Sequence, residues 1–373
     1  MDSRATARHP NLTIMTKSHN HNATMKRLHA DILSRLATLL LCCAVLGSCS
    51  DSTALPGDDD DAPRVVLSFT INTGDTTGSR AYDHTDETED PGNTMERMIV
   101  TDNSRIYVFN HNGGSLVTAI DMNTVHLTPA GDNRYRVTIE LEKSLFGNAD
   151  SPVIDLAVVA NLAGQPDAPA SLEALASQSY AFAAPTAGTG IPMWGCMKDV
   201  ALRTSATSGG TINLLRAYAK VVIELGETVP SNYTVTAQLT TTTNRFYAAP
   251  YDDETHTIAD PSDYDDMKAP FAPRVGSSSM TIGSYPDDKL TFYVPEARAN
   301  EGNRLTLDIL DGEGNPIEGF SGSNIYIALY SDNTPGEHLP LLRNHIYTYQ
   351  LDLTSGIQVR VRKWGYHKIE FDM

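Results

Sequence analysis

The sequence predicts an all-β protein: two antiparallel β-sandwiches in tandem, preceded by an export signal and a flexible tether. Three observations predict it. Period-two alternation recurs, as in Arg134–Glu142, where Tyr135, Val137, Ile139 and Leu141 share one face and Arg134, Arg136, Thr138 and Glu140 the other. Turn-forming runs separate such segments: His111-Asn112-Gly113-Gly114, Ala130-Gly131-Asp132-Asn133 and Asp311-Gly312-Glu313-Gly314-Asn315. The patterned body is also too long for one sandwich.

Among 373 residues, 46 are acidic and 28 basic, for a formal net charge of −18. Such a chain lacks the basic face that displaces counterions from nucleic acid, and it does not adhere to an anionic membrane by charge. Hydrophobic residues make up 40%, enough for packed cores.

The first element is an address. Residues 25–49 read MKRLHADILSRLATLLLCCAVLGSC. Lys26 and Arg27 form a positive region, and 36–46 an apolar one of signal-peptide length, too short for the ~20 residues of a membrane span. The polar 24 residues before Met25 add nothing, so Met25 is the expected true start. Leu46-Gly47-Ser48-Cys49 resembles the bacterial lipobox, whose cysteine takes lipid and becomes the mature amino terminus. An ordinary secretory signal is the alternative; position, apolar run and small residues together favour lipidation of Cys49. The expected divisions are a signal at 1–48, a lipidated tether at 49–64 with Asp58 to Asp61 in a row, a first strand with its following loop at 65–80, and sandwiches at 81–207 and 208–373.

Of four cysteines, Cys42 and Cys43 leave with the signal and Cys49 carries lipid. Only Cys196 remains, so the mature chain has no intramolecular disulfide and no CxxC metal site. Cys196 lies in an apolar run and reads as a small buried hydrophobe.

Strands are expected at 105–110, 134–142, 153–162, 214–225, 233–239, 290–294, 304–310, 324–329 and 345–353, with one short helix near 171–178. In 214–225, Leu215, Ala217, Ala219, Val221, Ile223 and Leu225 take one face, with Arg216, Tyr218, Lys220 and Glu224 opposite. The stretch RTSATSGG at 203–210 is the expected boundary between sandwiches.

No catalytic constellation is present: no GxSxG, HExxH, P-loop or Rossmann glycine pattern. His84, His111 and His345 lack ligand-like spacing, and the acidic runs at 252–254 and 260–266 lack the regular spacing of a calcium loop. No enzyme, cofactor or metal is expected.

Several segments, in order, resemble the fimbrillin (FimA/Mfa-like) family of type V pilus subunits. They are the lipobox with its acidic tether; VVLSFTI at 65–71 followed by TTGSRA at 76–81; IYVFN at 106–110 with Gly113-Gly114; IPMWG at 191–195, similar to the family's PM-x-G element; LRAYAKV at 215–221, similar to its LxRAxAKV strand; and LRNHIY at 342–347, similar to its RNHxY element. A terminal segment with Trp364 closes the series. The short link at 354–356 departs from subunits with a long linker there.

The resemblance implies transthyretin-like sandwiches and a defined assembly route. The precursor is anchored in the outer membrane by lipid on Cys49, and a maturation protease cuts between Arg80 and Ala81. Loss of the first strand (Val65, Leu67, Phe69, Ile71) opens a groove, which a neighbouring subunit fills from its carboxyl end. The expected donor is 357–362 through Ile357, Val359 and Val361, with 368–373 (Ile369, Phe371, Met373) in support. The removed part holds eight basic and eight acidic residues, so the part from Ala81 keeps 20 basic (28 − 8), 38 acidic (46 − 8) and a charge of −18. Association between such subunits must come from buried apolar strands. The partners implied are other pilus subunits, with a host glycan or protein as adhesion target. The competing expectations are a tip or anchor subunit and a monomeric glycan-binding surface lipoprotein.

Overall fold

The first strand, β1 (Arg64–Asn72), follows its alternation: Val65, Leu67, Phe69 and Ile71 are buried, while Val66, Ser68 and Thr70 are half-exposed. The computed structural model describes residues 64–73, 93–131, 133–147, 149–203, 207–241, 243–259, 271–273, 280–282, 289–299, 303–318, 323–326, 340–353 and 356–363. After β1 come a four-residue helix α1 (Thr94–Arg97), β2 (Arg105–Asn110), β3 (Leu116–Asp121), β4 (Leu127–Pro129), β5 (Arg134–Glu142) and β6 (Val153–Ala160). Next are α2 (Leu172–Ala176), capped by Ser171, then β7 (Ser179–Ala181), β8 (Met193–Ala201), β9 (Thr207–Asn213) and β10 (Leu215–Arg216). These strands make a sheet of order β4-β5-β1-β9 and another of order β10-β8-β6-β2-β3. Between them lies one core, in which the β1 residues meet Val137, Ile139, Ile106, Val108, Ile154 and Leu156.

The chain then forms β11 (Tyr218–Leu225), β12 (Thr234–Thr241), β13 (Arg245–Tyr247), β14 (Tyr251–Asp252), β15 (Thr257–Ile258), β16 (Met280–Ile282), β17 (Lys289–Pro295), β18 (Arg304–Leu310), β19 (Ser323–Tyr326), β20 (His345–Asp352) and β21 (Gly356–Lys363). Two more sheets result, β17-β11-β20-β21 and β16-β12-β18-β19. They share a second core that includes Val221, Ile223, Phe292, Leu305, Tyr347 and Tyr349.

A third core accounts for the most consequential difference from the sequence reading. Tyr107, Phe109, Trp194 and Cys196 of the first half and Tyr218, Val222 and Ile346 of the second join α2, Tyr180 and Phe246 in one cluster. Sheet β10-β8-β6-β2-β3 is therefore covered on both faces, and β11 and β20 are covered on their second face at Tyr218, Val222 and Ile346. Arg216, Tyr218 and Lys220, expected on an outward polar face, are buried. The described residues belong to one compact unit.

Three further expectations change. The expected strand at 214–225 is two strands in different sheets: β10 pairs with β8, whereas β11 pairs with β17 and β20. With β9 paired to β1, the first pair of sheets extends to Arg216, and the change of sheet falls at Ala217 rather than after residue 207. The sheets are also mixed rather than purely antiparallel, because β1 runs parallel to β9 and β11 to β20. Long crossover connections allow this, since a parallel pair needs a dozen or more residues between its strands.

Gly195, in the PMWG run, has a steric reason. A Cβ there would lie 2.6 Å from the Asn213 carbonyl oxygen and 2.6 Å from Ile212 Cγ2. The end of β9 crosses β8 at this point, and backbone cannot step aside as a flexible side chain can. Gly195→Ala is expected to destabilise by about 1–3 kcal/mol, the usual range for overpacking. A lowered thermal midpoint by circular dichroism checks it; an unchanged midpoint means that the crossing yields freely.

Candidate functional site

β1 occupies a slot between β5 and β9. It pairs antiparallel with β5, with Val65 opposite Leu141, Leu67 opposite Ile139, Phe69 opposite Val137 and Ile71 opposite Tyr135. It pairs parallel with β9, through Leu67 opposite Thr207 and Ile71 opposite Ile212, with a register shift between Ser68 and Thr70. At the shift a Cβ on Gly209 would come within 3.1 Å of both Leu67 Cδ1 and Met197 Cε, so the missing side chain permits the close approach. Without β1, two neighbouring strands would each lose a ladder partner and the first core would open. Burying the four apolar side chains of β1 is worth roughly 6–12 kcal/mol at ~1.5–3 kcal/mol each, before ordering costs.

The far end of the slot is polar and buried. Asn72 and Thr73 are at most 1% exposed. Asn72 Nδ2 donates to Asn213 Oδ1 at 3.2 Å, and Leu214 N donates to the Asn72 carbonyl at 2.8 Å. Thr73 donates through its N–H and its hydroxyl to the Asn133 carbonyl, at 2.9 and 3.1 Å. Arg216 closes this end, with Nη2 donating to the Thr73 carbonyl at 3.1 Å, Nε to the Glu96 carbonyl at 2.9 Å and Nη1 to Asn344 Oδ1 at 3.2 Å. One guanidinium thus grips the chain on both sides of residues 74–92.

Two of the segments behind the family resemblance, 215–221 and 342–347, meet around that grip. Lys220 Nζ lies 2.9 Å from Glu96 Oε1 in a buried ion pair. Glu96 also completes a capping box with Asn93 at the start of α1 and accepts from the Tyr293 hydroxyl. Asn344, at φ 55°, donates its N–H to the Tyr218 carbonyl. The neighbouring Arg343 pairs with Glu296 at 2.6 Å, both at most 1% exposed, and donates to the Ala248 and Tyr247 carbonyls at 3.0 and 3.1 Å. Burial pushes the hydroxyl pKa of Tyr218 above its ordinary value.

Of the residues singled out from sequence, Val65, Leu67, Phe69 and Ile71 line the slot. Ile357, Val359 and Val361 fall in β21, the edge strand of its sheet, at register positions opposite Leu351, Tyr349 and Tyr347 of β20. Cys49, Arg80, Ala81, Ile369, Phe371 and Met373 lie outside the described residues, as do the tether up to residue 63 and the run at 260–266. Cys196 is a free, buried thiol. Asp252 is used locally, its Oδ1 accepting from Glu254 N at 2.8 Å.

One association escaped the sequence reading. Ligand-type atoms of His111, Asp155 and Asp199 lie within 4.8 Å of one another. His111 Nδ1 is 2.8 Å from Asp199 Oδ1, and the buried Asp155 carboxylate accepts from Gly113 N at 2.6 Å and Asp199 N at 3.0 Å. Both Asp155 oxygens thus fasten the β2–β3 turn to the irregularity in β8. Wide sequence separation hid the group, and no local spacing signals it.

No family model matches the chain, and no curated protein matches it. Solved structures do. The tip fimbrial protein Mfa3 from Porphyromonas gingivalis aligns with TM-score 0.50 and 13% identity, over 81% of this chain and 100% of that one. A fimbrial assembly protein from Parabacteroides distasonis gives 0.49 and 14%, over 80% and 96%. A fimbrilin from Porphyromonas gingivalis gives 0.45 and 13%, over 82% and 98%. At such identity the first of these likenesses establishes the all-β fold. The neighbours are fimbrial and adhesion proteins, not enzymes.

Proposed function

We propose that this chain is a structural subunit of a surface fimbria, supporting adhesion, whose first strand is exchanged for a strand of a neighbouring subunit. The observation that carries the reading is the position of β1: it is central in its sheet, apolar on one face, and joined to the following described residue, Asn93, by 74–92. A cut in that segment frees β1 covalently while the rest of the fold keeps its two other cores. Main-chain ladders on both sides of the slot provide affinity, and alternate side chains provide register. The tandem sandwiches, Cys49 lipidation in the outer membrane, cutting between Arg80 and Ala81, and donation from the carboxyl end belong to the same proposal.

The two donor candidates differ in cost. A donor using Ile357, Val359 and Val361 must first leave β20, breaking a ladder that runs from His345 to Asp352 and uncovering the buried Tyr347, Tyr349 and Leu351. A donor using Ile369 and Phe371 leaves β21 in place. This favours 368–373 as the inserting segment.

The test is Arg80→Ala expressed in the native cell. Precursor is expected to reach the surface, while ladder-forming polymers fall below about a tenth of wild type and the mature start at Ala81 disappears. In parallel, Phe371→Asp is expected to block polymers and Val359→Asp to lower monomer stability as well. Polymers that form normally with an intact Arg80–Ala81 bond defeat the exchange reading, and a tip, an anchor or a monomeric glycan-binding lipoprotein then takes its place.

A further inference from the structure

Alternation by itself leaves the register of a replacement strand underdetermined. A slip of one residue turns every apolar side chain outward, so the slot rejects it. A slip of two restores the faces, and Leu67, Phe69 and Ile71 are similar enough in size for such a slip to keep the core filled. Something else must discriminate, and the buried polar end of the slot has the required geometry.

We propose that Arg216, with Asn213 and Asn133, forms a polar end-stop that fixes the register of whichever strand of a second copy of this chain replaces β1. The proposal rests on the strand-exchange reading and adds a positioning role that the reading does not contain. β1 shows how the stop works. Its last apolar residue, Ile71, lies opposite Tyr135 and Ile212. The next two residues leave the apolar environment, Asn72 bonding to Asn213 and Thr73 to Asn133. The Thr73 carbonyl then meets the Arg216 guanidinium.

A strand that ends two residues past its last core residue, as the segment 64–73 does, brings no carbonyl to Arg216 Nη2 when inserted two residues short, and a buried charged donor loses an acceptor. A strand inserted two residues too far carries an apolar side chain onto the Asn133 carbonyl and displaces the amide that pairs with Asn213. Both errors are penalised at the same end. The slot therefore selects a strand running in the direction of β1, with a small polar residue directly after its last core residue.

Arg216 is well placed to persist as a fixed reader. Its bonds to the Glu96 carbonyl and to Asn344 do not involve β1, so the guanidinium keeps two anchors when β1 departs. Lys220 holds Glu96 from the other side.

The register can be read by disulfide trapping. Ser68 Oγ and Thr138 Oγ1 face each other at 2.9 Å on the outer side of the sheet, and the two residues are direct ladder partners. The full chain carrying Thr138→Cys is cut after Arg80, with the new start at Ala81 verified, and incubated with excess synthetic peptide 64–73. The peptide carries a single cysteine at position 66, 68 or 70. Position 68 is expected to trap about tenfold more than 66 or 70, the discrimination that one hydrogen bond to a charged donor supplies.

With Arg216→Gln, traps from 66 or 70 are expected to rise to within about threefold of 68, while total uptake changes less. A purely structural role for Arg216 would lower all three traps in proportion. Because the variant can fail to fold, a second arm uses the Thr138→Cys protein with Arg216 intact and a peptide ending at Ile71. Removing Asn72 and Thr73 should relax the register in the same way. If the ratios stay unchanged in the truncated-peptide arm, the end-stop is wrong while strand exchange stands. If the cut chain takes up no β1 peptide in any register, both readings fall.

Discussion

Leu67→Asp is expected to expel β1 from its slot without any proteolysis. Leu67 is fully buried, midway along β1, between Ile139 on one side and Thr207 on the other. An aspartate there places an unpaired charge in an apolar core, at a cost of several kcal/mol, in addition to the ~2–3 kcal/mol lost with the leucine side chain. Domains are stable by only ~5–15 kcal/mol, so most of the margin of the first pair of sheets is spent. Ser68→Asp, one residue on, is the matched comparison. Ser68 is half-exposed on the outer side, and its change should stay within about 1 kcal/mol. Urea unfolding followed by circular dichroism separates the two. The expected pattern for Leu67→Asp is an early transition of limited amplitude, with protease sensitivity gained in 64–73. Equal midpoints for the two variants would mean that the inner face of β1 does not hold the slot closed.

A loss of similar size, at a site outside the slot, is expected for Glu296→Ala. Glu296 accepts from Arg343 Nε at 2.6 Å and from the Arg343 backbone N–H at 3.2 Å, and both side chains are excluded from water. Removing the carboxylate leaves a buried guanidinium without its counter-charge, which costs about 3–5 kcal/mol. The double variant Glu296→Leu with Arg343→Met removes both charges and should recover part of the loss. It cannot recover all of it. The Tyr247 and Ala248 carbonyls then lack the donors that Arg343 provides, and each buried acceptor left unsatisfied costs about 1–3 kcal/mol. A double-mutant cycle in guanidinium chloride measures the coupling. A single variant that loses under 1 kcal/mol would show that water or a second acceptor replaces Glu296.

These two sites also mark the limits of what could be read without coordinates. β1 was legible because its pattern is a half-buried strand in the simplest sense, apolar and polar residues alternating. β5 and β18 match their expected bounds for the same reason, with clean alternation across one buried face. The arginines and lysine behind the resemblance were legible as a motif but not as a structure. Arg216 and Lys220 alternate with apolar neighbours and so read as an outward face, yet they are buried and bonded.

Sequence by itself determined the all-β class, the approximate bounds of about half of the described strands, the alternating apolar face of the first strand, and the absence of the catalytic motifs named above. Each rests on local information: a two-residue period, turn chemistry, or the identity of neighbouring residues. Tertiary structure alone decided that β1 and β9 run side by side, that the strand expected at 214–225 changes sheets at Ala217, and that a third core covers the outer face of one sheet and part of that of another. The physical reason is that periodicity reports how a strand divides its side chains between two faces, not what covers the second face. That cover comes from residues distant in sequence: α2, Tyr180 and Phe246 pack over Tyr218 and Val222, while Thr73, Glu96 and Asn344 meet Arg216 and Glu96 meets Lys220, so two apparent surface charges are buried and paired.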